Sequence, residues 1–504
     1  MAQIVSNPPH EFRRKLTLSD RKATHRIQCL ERSTPRPPAV AAEHMVAASQ
    51  GPAVQAGLAM LGRGGNAADA AVAAAAALCV CEPMSTGIGG DAFAIVHRDG
   101  RADGLDAAGP AASSAAELPV PEAGPASVTV PGAVAGWDAL LRRYGRLGLD
   151  ACLAPAIDLA ERGFAVAPRC AWGWKTAPRL PDGYAPPPAR GAVVVLPALG
   201  ASLRAIAERG PDALYRDEVA HAIATASTLT EDDLAAFTPA WVEPLRLRYR
   251  DVDVLELPPP TQGVVALEGL GILEQLAERP GDADRLDAVR LALEDGLAQV
   301  RDGADVSGLL DPRRLRARAR ARARDDVVEP AGGTVYLCAV DGDGMAVSFI
   351  QSLYEPFGSG VVAGDTGIVL QNRGACFSVE GRVRPGRRPY HTIIPGLLEH
   401  DGRLLGPFGI MGGFIQAQAH VQFVSALVDD GLDPQAALDR PRFRLEADHV
   451  LVERGAWSGP PPTDLPLCAE DDPLPFGGGQ AILVDGDTLV GGSDSRKDGY
   501  AAGR

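Results

Sequence analysis

Apolar positions begin to recur at residue 45. Across 45–61 they fall at helical spacing. Gly64-Gly65 ends that stretch. Asn66 can cap the next helix, with Asp69 three residues on at the positive end of its dipole. An alanine-rich apolar run to Val80 follows, and its small side chains predict a closely packed, buried helix. Gly87-Ile88-Gly89-Gly90 then leads into a strand over 91–96. A dinucleotide-binding loop runs from strand into helix, so the reversed order here argues against that use. Val130-Pro131-Gly132 opens a helix that reaches Trp137, residues 155–164 form a helix closed by Gly163, and Thr230 caps a helix start with Asp233 at its third position.

At residue 333 the period changes from helical to alternating. Residues 334–340 read as a strand, Asp341-Gly342-Asp343-Gly344 as a hairpin turn and 345–350 as the returning strand. Thr334 therefore opens the outer end of a β-hairpin. A second glycine pair, Gly412-Gly413, precedes a helix over 417–428, and another strand lies near 481–484. Such a mixture of strands and helices predicts stacked α+β layers.

Composition narrows the function classes. The 504 residues are 46% hydrophobic and 22% charged, an ordinary globular balance with material for a large core. A net charge of −15 disfavours a nucleic-acid partner. The exception is a basic run over 313–324, from Arg313 to Arg324. It reads either as an RNA- or anion-binding patch or as a solvated linker balanced by Asp325, Asp326 and Glu329, and the linker is preferred. The eight cysteines are scattered without zinc spacing, which fits buried free thiols in a reducing compartment and no metal. The basic N-terminus has no apolar signal core behind it, and no apolar run reaches the ~18 residues of a membrane span. Residues 1–43 read as a poorly ordered leader, and the expected location is cytoplasmic.

The chemistry turns on Thr334. A threonine hydroxyl is a weak nucleophile without a base. Cutting the chain just before it would place an α-amino group, with a reference pKa of about 7.7–8.0, on the same residue. One residue would then supply both nucleophile and base. Gly332-Gly333 suits such a cut if the precursor must fold its carbonyl back on the Thr334 hydroxyl, because glycine tolerates strained backbone. By itself a Gly-Gly-Thr triplet is usually an ordinary turn.

Its neighbours make it specific. Gly64-Gly65-Asn66-Ala67-Ala68-Asp69, the loop from Glu82-Pro83 to Gly90, and residues 130–136 and 155–164 resemble, in order, the large subunit of the γ-glutamyltranspeptidase family. Residues 334–341, Phe357-Gly358-Ser359-Gly360, residues 367–372, Met411-Gly412-Gly413 and residues 493–499 resemble its small subunit, so the likeness covers about residues 44–504. The resemblance implies an N-terminal-nucleophile hydrolase with a four-layer αββα sandwich, built from both fragments of a precursor that cuts itself between Gly333 and Thr334. Residues 44–333 would be the large subunit and 334–504 the small, catalytic one. The two would remain together as a heterodimer, with further pairing left open. No cofactor is implied.

Carried over by position, Thr334 matches the nucleophile, and Gly412 and Gly413 match the pair whose N–H groups form the oxyanion hole. Ser352 matches a family threonine that hydrogen-bonds the nucleophile. A plain hairpin register would set Gln351 opposite Thr334 instead, so Gln351 is a rival for that place unless the strand bulges. The substrate end departs from the family. The arginine expected after the large-subunit strand is absent from Leu105-Asp106-Ala107-Ala108-Gly109-Pro110. Tyr354 stands for an asparagine, Arg373 and Cys376 for the two side chains that hold the substrate ammonium, and His391 and Thr392 for two carboxylate-binding serines. Local charge is thereby reversed, because a guanidinium suits an anionic substrate group. His391 would add a donor or a titratable contact, although a packed, non-catalytic ring is an equal reading.

The resulting expectation is a small-molecule hydrolase or acyltransferase that cleaves an amide of a dicarboxylic or modified glutamyl acyl group. Three rivals remain. Glutathione-type γ-glutamyl transfer follows from the family alone. Hydrolysis of a C–C bond next to a carbonyl is known among relatives in actinobacterial antibiotic pathways. A non-catalytic binding protein on the same scaffold is the reading of another class.

Overall fold

The computed structural model describes residues 3–5 (backbone only), 36–115, 120–321, 332–457 and 465–504. Two seven-stranded sheets, antiparallel throughout, lie face to face. The first runs Tyr500–Gly503, Met45–Ala48, Gly333–Val340, Ala346–Tyr354, Asp91–Arg98, Arg101–Ala107, Ala240–Val242. The second runs Ala39–Ala41, Thr488–Ser493, Gly478–Asp485, Arg403–Met411, Gly396–His400, Val252–Glu256, Leu245–Tyr249. Strands from both sides of position 333 contribute to each sheet. The strand Gly333–Val340 pairs with Met45–Ala48 on one side and with its hairpin partner Ala346–Tyr354 on the other, which in turn pairs with Asp91–Arg98. A chain cut after 333 would thus stay joined through its backbone ladders.

Three apolar clusters separate the four layers. Val335, Leu337 and Ala339 pack toward helix Ala67–Cys81, while Tyr336, Cys338 and Val340 face the opposite sheet. Beyond the second sheet, helices Gly263–Leu276, Asp282–Gln299 and Ile415–Val428 close the other side. The αββα sandwich is therefore the one the resemblance implies. The alanine helix is buried along its whole length. Asn66 caps it, accepting from Ala68 and Asp69 N–H groups while the Asp69 carboxylate accepts from Asn66 N. Asp341 of the hairpin turn accepts from Ala67 N at 2.9 Å and so ties the helix to the hairpin that carries Thr334.

Several expectations need correction. Residues 45–61 are not one helix. Met45–Ala48 is a strand between two others, and the helix begins at Gly51. Its short apolar run is read by its strand neighbours rather than by its own spacing. Ahead of position 44, Gln3–Val5 pairs with Val193–Val195 and Ala39–Ala41 joins the second sheet, while residues 6–35 of the leader lie outside the described residues. Cys468 is exposed, whereas the other six described cysteines are buried and free; Cys29 lies outside the described residues. In the basic run, Pro312–Arg318 is a short helix clamped to Asp282–Gln299. Arg318 meets Glu294 and Asp295, and Arg314 meets Asp295. Residues 312–318 are therefore a docked helix and not a solvated linker, while residues 322–324 and the expected partners Asp325, Asp326 and Glu329 lie outside the described residues. No described helix is long and apolar enough to cross a membrane.

Candidate active site

Thr334 stands where the hairpin register breaks. Val335 is opposite Gln351, but Gly333 is opposite Tyr354, so Ser352 and Leu353 share the place across from Thr334. This bulge settles which neighbour meets the nucleophile candidate. Ser352 Oγ lies 3.4 Å from Thr334 Oγ1. Gln351 points to the helix layer, donating to Ala75 O at 2.9 Å and accepting from Trp137 Nε1. The bulged strand ends on Tyr354 with φ 79°, a conformation that costs a non-glycine residue about 1–3 kcal/mol. Tyr354 N donates to Ser352 Oγ at 2.7 Å in that geometry.

Ser352 Oγ donates to Gly333 O at 2.6 Å, so it touches both the hydroxyl and the carbonyl of the bond expected to break. Gln416 Nε2, from the first turn of the helix Ile415–Val428, approaches Thr334 Oγ1 at 3.4 Å, while its Oε1 accepts from Ile394 N. Thr334 itself is 2% exposed.

Gly412 (φ 131°) and Gly413 (φ 75°) end the strand Arg403–Met411 in backbone that favours glycine. Gly412 shares with Thr334 a cavity of about 130 Å³, which is also lined by Gly332, Gly477, Glu82 and Lys497. A Cβ on Gly332 would sit 3.2 Å from Gly413 Cα and 3.3 Å from Tyr354 O, whereas one on Gly333 would meet nothing closer than 3.5 Å. Neither Gly332 nor Gly333 has positive φ. The first glycine is thus required by close approach, not by strained backbone as the sequence reading supposed.

Arg373 lies behind Ser352. It is fully buried and forms no ion pair with any described carboxylate. Nη2 donates to Ser352 Oγ at 3.2 Å and Nη1 to Thr392 Oγ1 at 3.0 Å, with Cys376 Sγ at 3.6 Å. The guanidinium stacks 4.6 Å over the Tyr354 ring, and its Nε has no partner. Burying an arginine charge with no carboxylate at ion-pair distance is expensive, and the Asp91 carboxyl is electrostatically coupled to it.

His391 is placed differently from Arg373 and Thr392. Its Nε2 faces Asp91 Oδ2 at 3.2 Å, its ring packs edge-on against Phe93, and Nδ1 is unpartnered. Burial, with Arg373 and Arg388 nearby, holds its pKa well below the usual value, so the ring is neutral. The structure shows a packed, neutral histidine held against Asp91 and Phe93. Asp91, at the start of its strand, is pushed up to about 7 by burial, against lowering by Gln371, the Arg373 charge and Gly109 N–H. Arg388 reaches Asp106 and Asp302, and both carboxylates occupy it.

Sequence reasoning missed Gln416 and Asp91. Both had weak signals: Gln416 follows the glycine pair by three residues, and Asp91 directly follows Gly89-Gly90. No group of three or more His, Cys, Asp or Glu residues that could hold a metal occurs among the described residues. A larger cleft of about 740 Å³, bordered by Tyr184, Leu199 and Val361, includes none of the residues around Thr334.

Comparison with known proteins gives consistent matches. A family model described as gamma-glutamyltranspeptidase matches residues 53–504. The glutathione hydrolase-like YwrD proenzyme of Bacillus subtilis (strain 168) is 34% identical, over 92% of this chain and 99% of its own length. The oxamate amidohydrolase proenzyme of Klebsiella pneumoniae subsp. pneumoniae is 37% identical, over 78% of this chain and 83% of its own. Among solved structures, cephalosporin acylase from Bacillus halodurans superposes with a TM-score of 0.86 at 38% identity, covering 95% of this chain and 99% of that one.

Proposed function

The chain belongs to the γ-glutamyltranspeptidase family of N-terminal-nucleophile hydrolases, and from that premise we propose that it matures by cutting itself between Gly333 and Thr334 and then hydrolyses an amide whose acyl half carries a carboxylate but no ammonium. The relatives are named as proenzymes, hydrolases, an acylase and an amidohydrolase, so an amidohydrolase of this family is the common ground. Thr334 Oγ1 attacks the amide carbonyl while its freed α-amino group takes the hydroxyl proton, and that proton passes to the amine as the C–N bond breaks and the amine leaves. Backbone N–H groups of Gly412 and Gly413 hold the oxyanion. Ser352 and Gln416 fix the hydroxyl. Water then releases the acyl group from the ester on Thr334.

Arg373 carries the substrate reading. It is a buried charge without a counter-ion, placed one hydroxyl away from Thr334. A substrate carboxylate would supply that counter-ion, with Thr392 and Tyr354 holding the guanidinium in place. One relative's name supports this class, because oxamate is a monoamide bearing a carboxylate and no ammonium. γ-Glutamyl transfer is less well served, since Arg373 and Cys376 stand where an ammonium would need acidic or amide partners.

Cleavage would leave residues 1–333 as one fragment, a leader of 1–43 and a body of 44–333, paired through the sheets with 334–504. We place the enzyme in the cytoplasm, where its buried unpaired cysteines would stay reduced. The test is a kinetic comparison of monoamides of dicarboxylic acids with the γ-glutamyl amide of the same amine. Higher kcat/KM for the former is expected. Clearly higher kcat/KM for the γ-glutamyl amide would overturn the reading of Arg373.

A further inference from the structure

In the uncut chain the hydroxyl of Ser352 is bound on every side. A serine hydroxyl has one proton and two lone pairs. Its oxygen accepts from Tyr354 N at 2.7 Å and Arg373 Nη2 at 3.2 Å, which together fill both lone pairs. Thr334 Oγ1 is left at the long limit of 3.4 Å. Gly333 O, at 2.6 Å, can only accept. The single proton of Ser352 is therefore committed to the carbonyl that joins the two future fragments.

From this chain of contacts we infer that Arg373 is a positioning residue for self-cleavage: it polarises Ser352, which in turn stabilises the oxyanion formed at Gly333 when the protein cuts itself. The inference rests on the reading that Thr334 attacks its own preceding peptide bond. In that step Thr334 Oγ1 adds to Gly333 C, and negative charge moves onto Gly333 O. The C–N bond to Thr334 then breaks, the hydroxyl proton passes to the leaving nitrogen, and an ester remains. Water hydrolyses the ester, leaving a Gly333 carboxylate, the Thr334 hydroxyl and a free α-amino group. The charge that needs a donor appears on the oxygen Ser352 already touches. A guanidinium hydrogen-bonded to the donor's own oxygen makes its O–H more acidic and the bond stronger, and burial keeps water from screening the effect. Before cleavage Arg373 thus acts through Ser352. Once the Gly333 carboxylate has left the site, the same guanidinium is available to a substrate carboxylate.

Loss of an oxyanion donor typically slows a reaction about 100- to 1000-fold, and loss of the charge behind the donor should cost about tenfold or more. The full chain is made by cell-free synthesis, and conversion of the 52.5 kDa precursor to its two fragments is followed on denaturing gels. Arg373→Met, Arg373→Lys, Ser352→Ala and Thr334→Ala are compared with the parent. Thermal melts of the Thr334→Ala precursor with and without Arg373→Met report whether the fold survives. The expected result is slow cleavage for Arg373→Met with an unchanged melt, partial recovery for Arg373→Lys, and the largest loss short of Thr334→Ala for Ser352→Ala. Cleavage of Arg373→Met or Ser352→Ala at the parental rate would overturn the inference. So would equal slowing of Arg373→Met and Arg373→Lys together with a lowered melt, since packing would then account for it. Normal cleavage of Thr334→Ala would instead overturn the nucleophile reading beneath it.

Discussion

Replacing Arg373 by methionine should change which amides the mature enzyme accepts. Methionine keeps an unbranched stem over the Tyr354 ring but removes the charge and every donor. Truncating one partner of a buried, hydrogen-bonded charge pair costs about 2–5 kcal/mol. The lower part of that range applies here, because two of the guanidinium's hydrogen bonds go to Ser352 and Thr392 and only the rest of its donor set is available to a ligand. About 2–3 kcal/mol corresponds to a loss of about 30- to 160-fold in kcat/KM. Two p-nitroanilides, succinyl and butyryl, form the assay pair, since they differ in the carboxylate alone. Rates are expressed per mole of the cleaved small fragment, so that slower maturation does not enter. The succinyl substrate should lose the full factor, and the butyryl substrate should stay within a fewfold of the parent. Equal losses on both substrates, or no loss on either, would refute the assignment of Arg373 to the substrate carboxylate.

Gly332→Ala places a methyl 3.2 Å from Gly413 Cα and 3.3 Å from Tyr354 O, and should slow precursor cleavage on gels about tenfold, in line with an overpacking cost of about 1–3 kcal/mol. Gly333→Ala meets only ordinary contacts and should cleave near the parental rate. Asp91 stays protonated in the folded chain up to about 7, so its anion appears beside Arg373 only above that pH. The inhibition constant of a simple dicarboxylate should therefore weaken severalfold from about pH 6 to about pH 8, and Asp91→Asn should flatten that dependence. Glu268 is buried 3.7 Å from Arg314 Nη2, and burial and the neighbouring Asp295 push it up to about 9 against the arginine charge. The folded state alone holds this proton between the ordinary value and 9, so stability falls as pH rises through that window, by about 3 kcal/mol at pH 7. In urea unfolding of the Thr334→Ala precursor, Glu268→Gln should raise the midpoint, and more at pH 8 than at pH 6; a gap independent of pH would contradict the assignment.

What was legible in the chain was local. The Asn66–Asp69 capping box, the Thr230 cap, the stop at Gly163 and the hairpin at Asp341-Gly342-Asp343-Gly344 all depend on residues a few positions apart, and all stand as read. Features set by distant partners were harder. Met45–Ala48 became a strand because Gly333–Val340 and Tyr500–Gly503 flank it. The bulge opposite Thr334 decides between Ser352 and Gln351, yet no spacing within the hairpin announces it. Gln416 and Asp91 reach the site from a helix N-terminus and a neighbouring strand, so their placement needed the packed fold. For Arg373 the sequence showed that the charge had changed, and the structure added that the charge is buried and without a counter-ion.

The most direct test of the account is the mass and N-terminal sequence of the protein's fragments after incubation with a dicarboxylic monoamide. The account predicts pieces of about 35 and about 18 kDa from the 52.5 kDa chain, with the smaller beginning at Thr334 and gaining the acyl mass on that residue. A different new N-terminus, an adduct elsewhere, or identical cleavage in Thr334→Ala would contradict it.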